Sequence, residues 1–468
     1  MATPTPPANE RPSAALRSGP PGGRGNKPSF RQATEVFRYR NYRFLWISST
    51  FSFTGMQMHQ IVRALLAWHL TGSYSAVGLV MLSFGLPMFL FSLIGGSLAD
   101  RFEKRNLTLM TQSATGTLAL ITAVLILADV ITIQMLVAIG LVQGTFFAFG
   151  MPARTPLMAE VVGPNNVMAA IAMSNASMNA TRLVGPALAA VLVGMFGFAT
   201  AYFAQSFFYV LSVATLLLVP TGLSAAARNG REAPERGNVF AEIGKGLRYV
   251  AGHPRLRLLI AMMFIMSFFA MPFMVLLPGF IQEDLGQSES AYGWLQATSG
   301  AGALVASLSV ATLTTFDRKP LLQWFAGILA ATGLFMLSFA SIPLEFIGAI
   351  LGVVVLGVAT TAYQTLNNTM VMDASDPEYY GRVMSLNMLT FSVMPIMGFP
   401  LGAVADAIGA RETFAIQGAI VALMMAFVAI ANAKYTFGKT HEHRQPEVVD
   451  GGRSPVGAPP TAAPSGGD

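Results

Sequence analysis

The sequence predicts an all-α membrane protein of twelve transmembrane helices in two pseudo-symmetric six-helix bundles. Three observations carry that prediction. Of the 468 residues, 53% are hydrophobic and 11% charged, with a mean hydropathy of +0.55; soluble domains carry roughly 25% charged residues. The apolar residues gather into twelve segments, each near the ~20 residues that a spanning helix needs. A shift of about 213 residues aligns Glu160 with Asp373, Pro164 with Pro377, Gly185 with Gly398 and Leu188 with Leu401. The second six segments thus repeat the first.

The expected spans are 44–69, 76–98, 107–128, 131–152, 167–196, 199–219, 257–281, 291–314, 320–340, 343–370, 382–405 and 413–433. Residues 1–29 and 436–468 are low-complexity tails expected to be disordered. The first half, 30–220, opens with a basic aromatic stretch, Phe30 to Arg43, that reads as a short helix along the inner membrane face. The two halves, 30–220 and 256–435, are separated by a polar linker at 221–255. Within that linker, Val239 to Ala251 forms an amphipathic pattern with Ile243, Leu247 and Val250 on one side.

Charge sidedness sets the expected orientation. With the N-terminus inside, the inner loops hold Arg101, Lys104, Arg105, Arg154, Lys245, Arg318, Lys319 and Arg382 among others, while only Arg411 falls outside. That asymmetry is the positive-inside pattern and predicts a multi-pass inner-membrane protein with both termini cytoplasmic. The net charge of +6 therefore reports topology and not nucleic-acid binding. There are no cysteines, which removes disulfides and cysteine metal sites. No catalytic set, metal cluster, nucleotide loop or cofactor motif is present, so neither an enzyme nor direct ATP use is expected. The expected partners are a small-molecule substrate, protons and the lipid bilayer around a monomer.

The stretch Gly96-Ser97-Leu98-Ala99-Asp100-Arg101-Phe102-Glu103-Lys104-Arg105 is a charge-dense turn between the second and third apolar segments. It resembles the cytoplasmic loop signature of major facilitator superfamily transporters. Ala67-Trp68-His69-Leu70-Thr71-Gly72-Ser73, Met151-Pro152-Ala153-Arg154, Thr181-Arg182-Leu183-Val184-Gly185-Pro186-Ala187-Leu188 and Tyr380-Gly381-Arg382-Val383-Met384-Ser385 resemble the subgroup that holds the enterobactin exporter and related multidrug efflux proteins. The resemblance covers roughly residues 35 to 435. It implies the major facilitator fold, with a substrate cavity between the halves near the bilayer midplane. One departure stands out: Glu103 occupies a place where the family usually has glycine. Thr314-Thr315-Phe316-Asp317-Arg318-Lys319 is a reduced copy of the turn in the second half.

The resemblance implies a cytoplasmic latch in which Asp100, after Gly96, meets the start of helix eleven near Arg382, while Arg101 and Arg105 pair with nearby acids. Glu160 and Asp373, at the inner ends of helices four and ten, are expected to switch partners among Arg154, Arg382 and the hinge cations. A lone cation inside a span is unfavourable by at least ~2.5 kcal/mol, so Arg63, with Gln57, His59 and Gln60 nearby, is expected to line a polar cavity. Its alternative is an Arg reaching the outer headgroups. Arg182, with Asn175 and Asn179, is the second cavity candidate; its alternative is a packing role. Gly185-Pro186 resembles an export-associated motif of helix five. Met266 and Phe269 in helix seven, and Gln364 and Asn367 in helix ten, complete the cavity set. No carboxylate lies clearly mid-span, which leaves His59 as the in-membrane proton candidate, although a hydrogen-bonded structural histidine is the plainer reading.

The function expected is efflux of small, partly lipophilic molecules by alternating access, with proton antiport. The rival within transport is a dedicated exporter of a siderophore or other metabolite, or a lysophospholipid flippase. The rival of another class is a membrane receptor or scaffold that keeps the fold without transport.

Overall fold

A computed structural model describes residues 34–163, 166–222, 239–313, 319–340, 345–376 and 394–431, together with Tyr379, Val383 and Leu386. In order, α1 is Arg40–Thr71, α2 Tyr74–Arg101, α3 Lys104–Leu127 and α4 Ile133–Val162. The run Val167–Leu217 is two helices, because Gly197 takes φ 79°, ψ 176°; we label them α5 and α6. The second half contains α7 (Pro254–Asp284), α8 (Glu289–Leu313), α9 (Lys319–Ser338), α10 (Glu345–Asp373), α11 (Met394–Ile408) and α12 (Ala410–Ala431). Eight of these runs are long and apolar enough to cross a membrane, the double run among them, and α11 is a shorter apolar helix. The remaining two are α1, diluted by Ser, Thr, Gln and Arg, and α8, diluted by Gly and Ser. Among the described residues this makes twelve helices, the number expected from the sequence.

We call the face carrying the first residues of α1 and the linker the terminal face, and its opposite the distal face. Three sequence expectations are corrected at the terminal face. From residue 34 on, the stretch before the first span is not one continuous helix but a 3-10 turn, Glu35–Arg38, followed by the first residues of α1; residues 30–33 lie outside the described residues. Tyr42 is buried there and donates to the Ala170 carbonyl at 2.8 Å; its ring meets Phe37 rather than lipid headgroups. Helix α4 continues through Pro152 and Pro156 to Val162, so Arg154 sits within a helix, not in a loop. The linker helix, Val239–Gly252, buries Val250 but leaves Leu247 exposed. The long terminal tails lie outside the described residues.

The buried apolar residues show how the halves meet. One large cluster spans both, joining Trp68, Tyr74, Val77 and Val193 to Phe273, Leu276, Tyr292 and Leu401. Toward the terminal face the core divides. One cluster (Tyr42, Leu157, Leu216 and neighbours) belongs to the first half alone. Another (Val250, Leu256, Met370 and neighbours) belongs to the linker helix and second half alone. Burial of apolar area is the main source of cohesion between packed elements outside lipid contact, so the halves are held together at the distal side.

Glycine makes that junction possible. A Cβ on Gly78 of α2 would fall 2.3 Å from the Gly398 carbonyl oxygen of α11, and one on Gly402 would fall 2.4 Å from the Tyr74 carbonyl. The α5–α8 pair does the same: a Cβ on Gly300 would lie 2.8 Å from the Arg182 carbonyl. Pro186 lacks the N–H that would have bonded the Arg182 carbonyl four residues back, and Gly300 lets α8 approach that released oxygen. Small residues of this kind let membrane helices pack backbone to backbone. We therefore expect Gly78→Val to fold but to hold the distal halves apart. Spin labels at the exposed distal sites Asp129 and Phe339 will show a longer distance distribution than in the parent; an unchanged distribution would refute this role.

Candidate functional site

Three groups of polar residues require explanation: a distal clasp, a terminal-face pair of ion pairs, and buried polar side chains in between. At the distal face, Asp406 near the end of α11 sits over the start of α2. Its Oδ1 accepts the Tyr74 N–H at 2.7 Å, and its Oδ2 accepts the Ser75 N–H at 3.0 Å and the Ser73 hydroxyl at 2.9 Å. The first amides of a helix lack internal partners and carry positive potential, so a carboxylate is the fitting acceptor. Here the carboxylate comes from the other half of the molecule. Nearby, the Tyr74 hydroxyl donates to Glu283 at 3.4 Å and His69 meets Glu289 at 2.8 Å. Arg411 holds Asp284 at 3.0 Å from within the second half. Among the described residues, every side-chain hydrogen bond joining the two halves lies on this face.

The sequence reading missed Asp406, and a signal for it was present. Gly402-Ala403-Val404-Ala405-Asp406 repeats the glycine, x, aliphatic, alanine, aspartate order of Gly96-Ser97-Leu98-Ala99-Asp100. Both pentads close a helix, one at the end of α2 and one at the end of α11. Gly96, Asp100 and Arg101 fall in the last turns of α2, but their side-chain surroundings lie outside the described residues, as does Arg382.

At the terminal face Glu160 accepts from Lys104 at 2.5 Å, and Asp373 accepts from Lys319 at 2.6 Å. The two pairs occupy equivalent places in the two halves, each joining the start of one helix to the end of the next. Arg105 differs from expectation. It does not reach an acid but donates to the Leu217 carbonyl at 3.0 Å, where a cation complements the exposed carbonyls that end α6. Glu103, the departure from the family pattern, accepts the Gly222 N–H at 2.6 Å and the Asn106 amide at 2.9 Å. It thereby ties the start of the linker to the hinge.

The predicted cavity residues separate into different environments. His59 and Arg63 are 6% and 3% exposed and point into the first half, whereas Gln60 is exposed; the three do not share one wall. Arg63 lies over the Phe84 ring at 4.9 Å, and His59 Nδ1 faces Gln205 at 3.4 Å. Arg154, missed as a membrane residue, bonds the Ser52 hydroxyl and lies 4.6 Å from the Phe53 ring centre. Asn367 is fully buried inside the second half, where it accepts from Gln323 at 2.8 Å. Met266 is buried in the shared core, within a π-helical turn, Met266–Ala270, whose Phe269 carbonyl accepts from Gln417 at 2.9 Å. Gly185 is the contact point of α5 with Gln57 of α1, and Pro186 is buried beside it. Asn175 is exposed, and Gln57, Asn179, Arg182 and Gln364 are partly exposed. The two open depressions, about 490 and 320 Å³, flank the distal clasp and not the midplane.

Residues 33–449 match a family described as transmembrane secretion effector. The chain is 26% identical to an MFS-type transporter of Bacillus subtilis, YfiS, over 83% of this chain and 92% of the relative. It is 22% identical to the staphyloferrin A transporter of Staphylococcus aureus, over 83% and 96% of the two chains. With the multidrug efflux pump Tap of Mycobacterium tuberculosis it shares 23% identity over 73% and 82%. The fold is similar to that of the nucleoside transporter NupG, with a TM-score of 0.66 at 13% identity, covering 85% of this chain and all of the other.

Two outcomes follow from this geometry. Asp406→Ala removes an exposed capping carboxylate, a loss of about 1 to 2 kcal/mol in total, enough to shift a two-state equilibrium about tenfold. A cysteine placed at the buried Val77 will then react about tenfold faster with a membrane-impermeant maleimide; an unchanged rate refutes the clasp. The two ion pairs will differ in strength. Lys104 and Glu160 are 12% and 8% exposed, against 27% and 50% for Lys319 and Asp373. Glu160→Gln will therefore destabilise by about 3 kcal/mol, and Asp373→Asn by less than about 1 kcal/mol, as read by denaturant unfolding in detergent.

Proposed function

This chain belongs to the transmembrane secretion effector family of the major facilitator superfamily, and we propose that it exports small, partly lipophilic molecules by alternating access, driven by inward proton flow. The observation that carries the reading is the divided core. Among the described residues, the halves share one buried cluster toward the distal face and have separate clusters toward the terminal face. A transporter closed at one face and separable at the other is one of the two end states that alternating access requires. The cation asymmetry of the loops makes the terminal face cytoplasmic, so the closed face is the external one of a bacterial inner membrane.

The clasp supplies a route to coupling. Asp406 holds the external face shut as an acceptor. Burial pushes the Asp406 carboxyl up, but the bonds from Ser75, Tyr74 and Ser73 hold it below the usual carboxylate range; opening removes those donors, so proton uptake accompanies opening. Glu283, Asp284, Glu289, His69 and Arg411 surround the same junction. On this reading proton arrival and cargo release use the same external opening. Asp100, by the pentad repeat, is the corresponding acceptor for the cytoplasmic face. Multidrug efflux, as named for Tap, is the reading preferred for the cargo. A dedicated exporter of an anionic metabolite, such as the siderophore named for the Staphylococcus relative, is the second reading. It is favoured by Arg182, which is partly exposed on α5 and has no polar partner among the described residues.

Proteoliposomes with an imposed pH gradient separate these readings. The parent will move a cationic dye against its gradient only when protons run the other way, and Asp406→Asn will weaken that dependence. Transport of an anionic catechol in place of the dye would favour the second reading. Movement that ignores the gradient would end the proposal of proton coupling.

A further inference from the structure

The interior of the first half holds a cation without a counter-charge. Arg63 is 3% exposed. Its only polar contact is Nη2 to the Met81 sulfur at 3.8 Å, and its Nε and Nη1, with three N–H groups between them, have no acceptor. No carboxylate lies within ion-pair distance of it among the described residues. The Phe84 face at 4.9 Å offsets part of the charge, but a cation–π contact gives about 2 kcal/mol when desolvated. An unpaired buried charge is unfavourable by several kcal/mol.

The neighbours are donors too. One turn back on α1, His59 Nδ1 lies 3.4 Å from Gln205 Oε1, which leaves the Gln205 amide nitrogen unpartnered. One turn from Gln205 on α6, the Tyr202 hydroxyl also has no acceptor, and its ring stands edge-on to His59 at 6.2 Å. Tyr202 and Gln205 are 1% and 0% exposed, and Tyr202 is near enough to Arg63 to interact with it electrostatically. Two adjacent helices thus present a guanidinium, a phenol and an amide, all with unused hydrogens, inside one packed bundle. His59 Nε2, an acceptor when Nδ1 donates to Gln205, is unpartnered as well; the unused donors outnumber it and one carries a positive charge, so their complement is a single negative charge.

We propose that this pocket between α1, α2 and α6 binds a small monovalent anion, of the size of chloride or formate, held by Arg63, Tyr202 and Gln205. The single guanidinium balances one charge, not two. Arg63, Tyr202 and Gln205 each keep less than a tenth of their surface exposed, while Met81 and Phe84 beside Arg63 are partly exposed, so the donors themselves offer room for a small anion and not for a cargo-sized acid. The site therefore neutralises Arg63 and braces α1 against α6. Its test reads stability and not transport, so it does not depend on the export reading.

The experiment uses the full-length purified protein, exchanged into gluconate, a large anion, at fixed ionic strength. Thermal unfolding is followed while chloride, bromide or formate replaces gluconate. A saturable rise in Tm is expected, because a ligand that binds only the folded state stabilises it by mass action. Arg63→Met will abolish the rise. Tyr202→Phe and Gln205→Leu will each raise the half-saturating concentration roughly tenfold, the effect of one hydrogen bond to a charged group. These two variants keep the test decisive if Arg63→Met does not fold. A rise with chloride and with formate supports the site, and the ratio of their half-saturating concentrations tells which anion fits it better. Equal Tm in gluconate and in both small anions, or an anion response unaltered in Tyr202→Phe and Gln205→Leu, would overturn it.

Discussion

Two helix pairs, α2 with α11 and α5 with α8, meet backbone to backbone on the distal side, and the rest of the architecture depends on that contact. Lipid removes most of the hydrophobic reason for one helix to prefer another, so close packing has to supply cohesion. Gly78, Gly402 and Gly300 allow it, because a Cβ at any of them would lie under 3 Å from a backbone oxygen of the partner helix. Pro186 contributes from the opposite direction by releasing the Arg182 carbonyl that Gly300 approaches. Once the backbones are this close, the start of α2 falls under Asp406, and capping follows from proximity.

Polar groups are distributed by the same constraint. The repeated ion pairs, Lys104–Glu160 and Lys319–Asp373, tie helices together within a half and stay near the terminal face, where water is close. They brace each half as a rigid body. Among the described residues, the bonds that join one half to the other are on the distal face and end on carboxylates. A bracing interaction and a switching interaction thus occupy different places, as a mechanism of rigid halves that rock against each other requires. Within the spans of the first half, the buried Arg63 and the half-buried Arg154 use aromatic faces, a sulfur and a hydroxyl in place of acids.

Much of the plan was legible without coordinates. Span number, the duplication and the importance of Glu160 and Asp373 follow from hydropathy and spacing. What could not be read was which way each polar residue turns. In a soluble helix the apolar face marks the core; in a spanning helix lipid accepts apolar residues on every other face, so the pattern is flat. Gln60 and Arg63 therefore looked alike, although one is exposed and the other buried. Asn367 looked like a cavity residue and instead bonds Gln323. Helix ends were misjudged where prolines intervene, as in α4, because neighbouring helices can support a helix that proline would end in water.

By itself the sequence determined the membrane-spanning character, the twofold internal repeat and the pentad ending in aspartate that recurs at Asp100 and Asp406. Those are properties of composition and order, which survive any arrangement of the helices. Only the tertiary structure decided that Asp406 caps α2, that Arg105 ends α6 instead of meeting an acid, and that Arg63 faces the inside of its own bundle. Each of those depends on the rotation of a helix about its axis and on the approach of a partner hundreds of residues away, which local pattern does not encode.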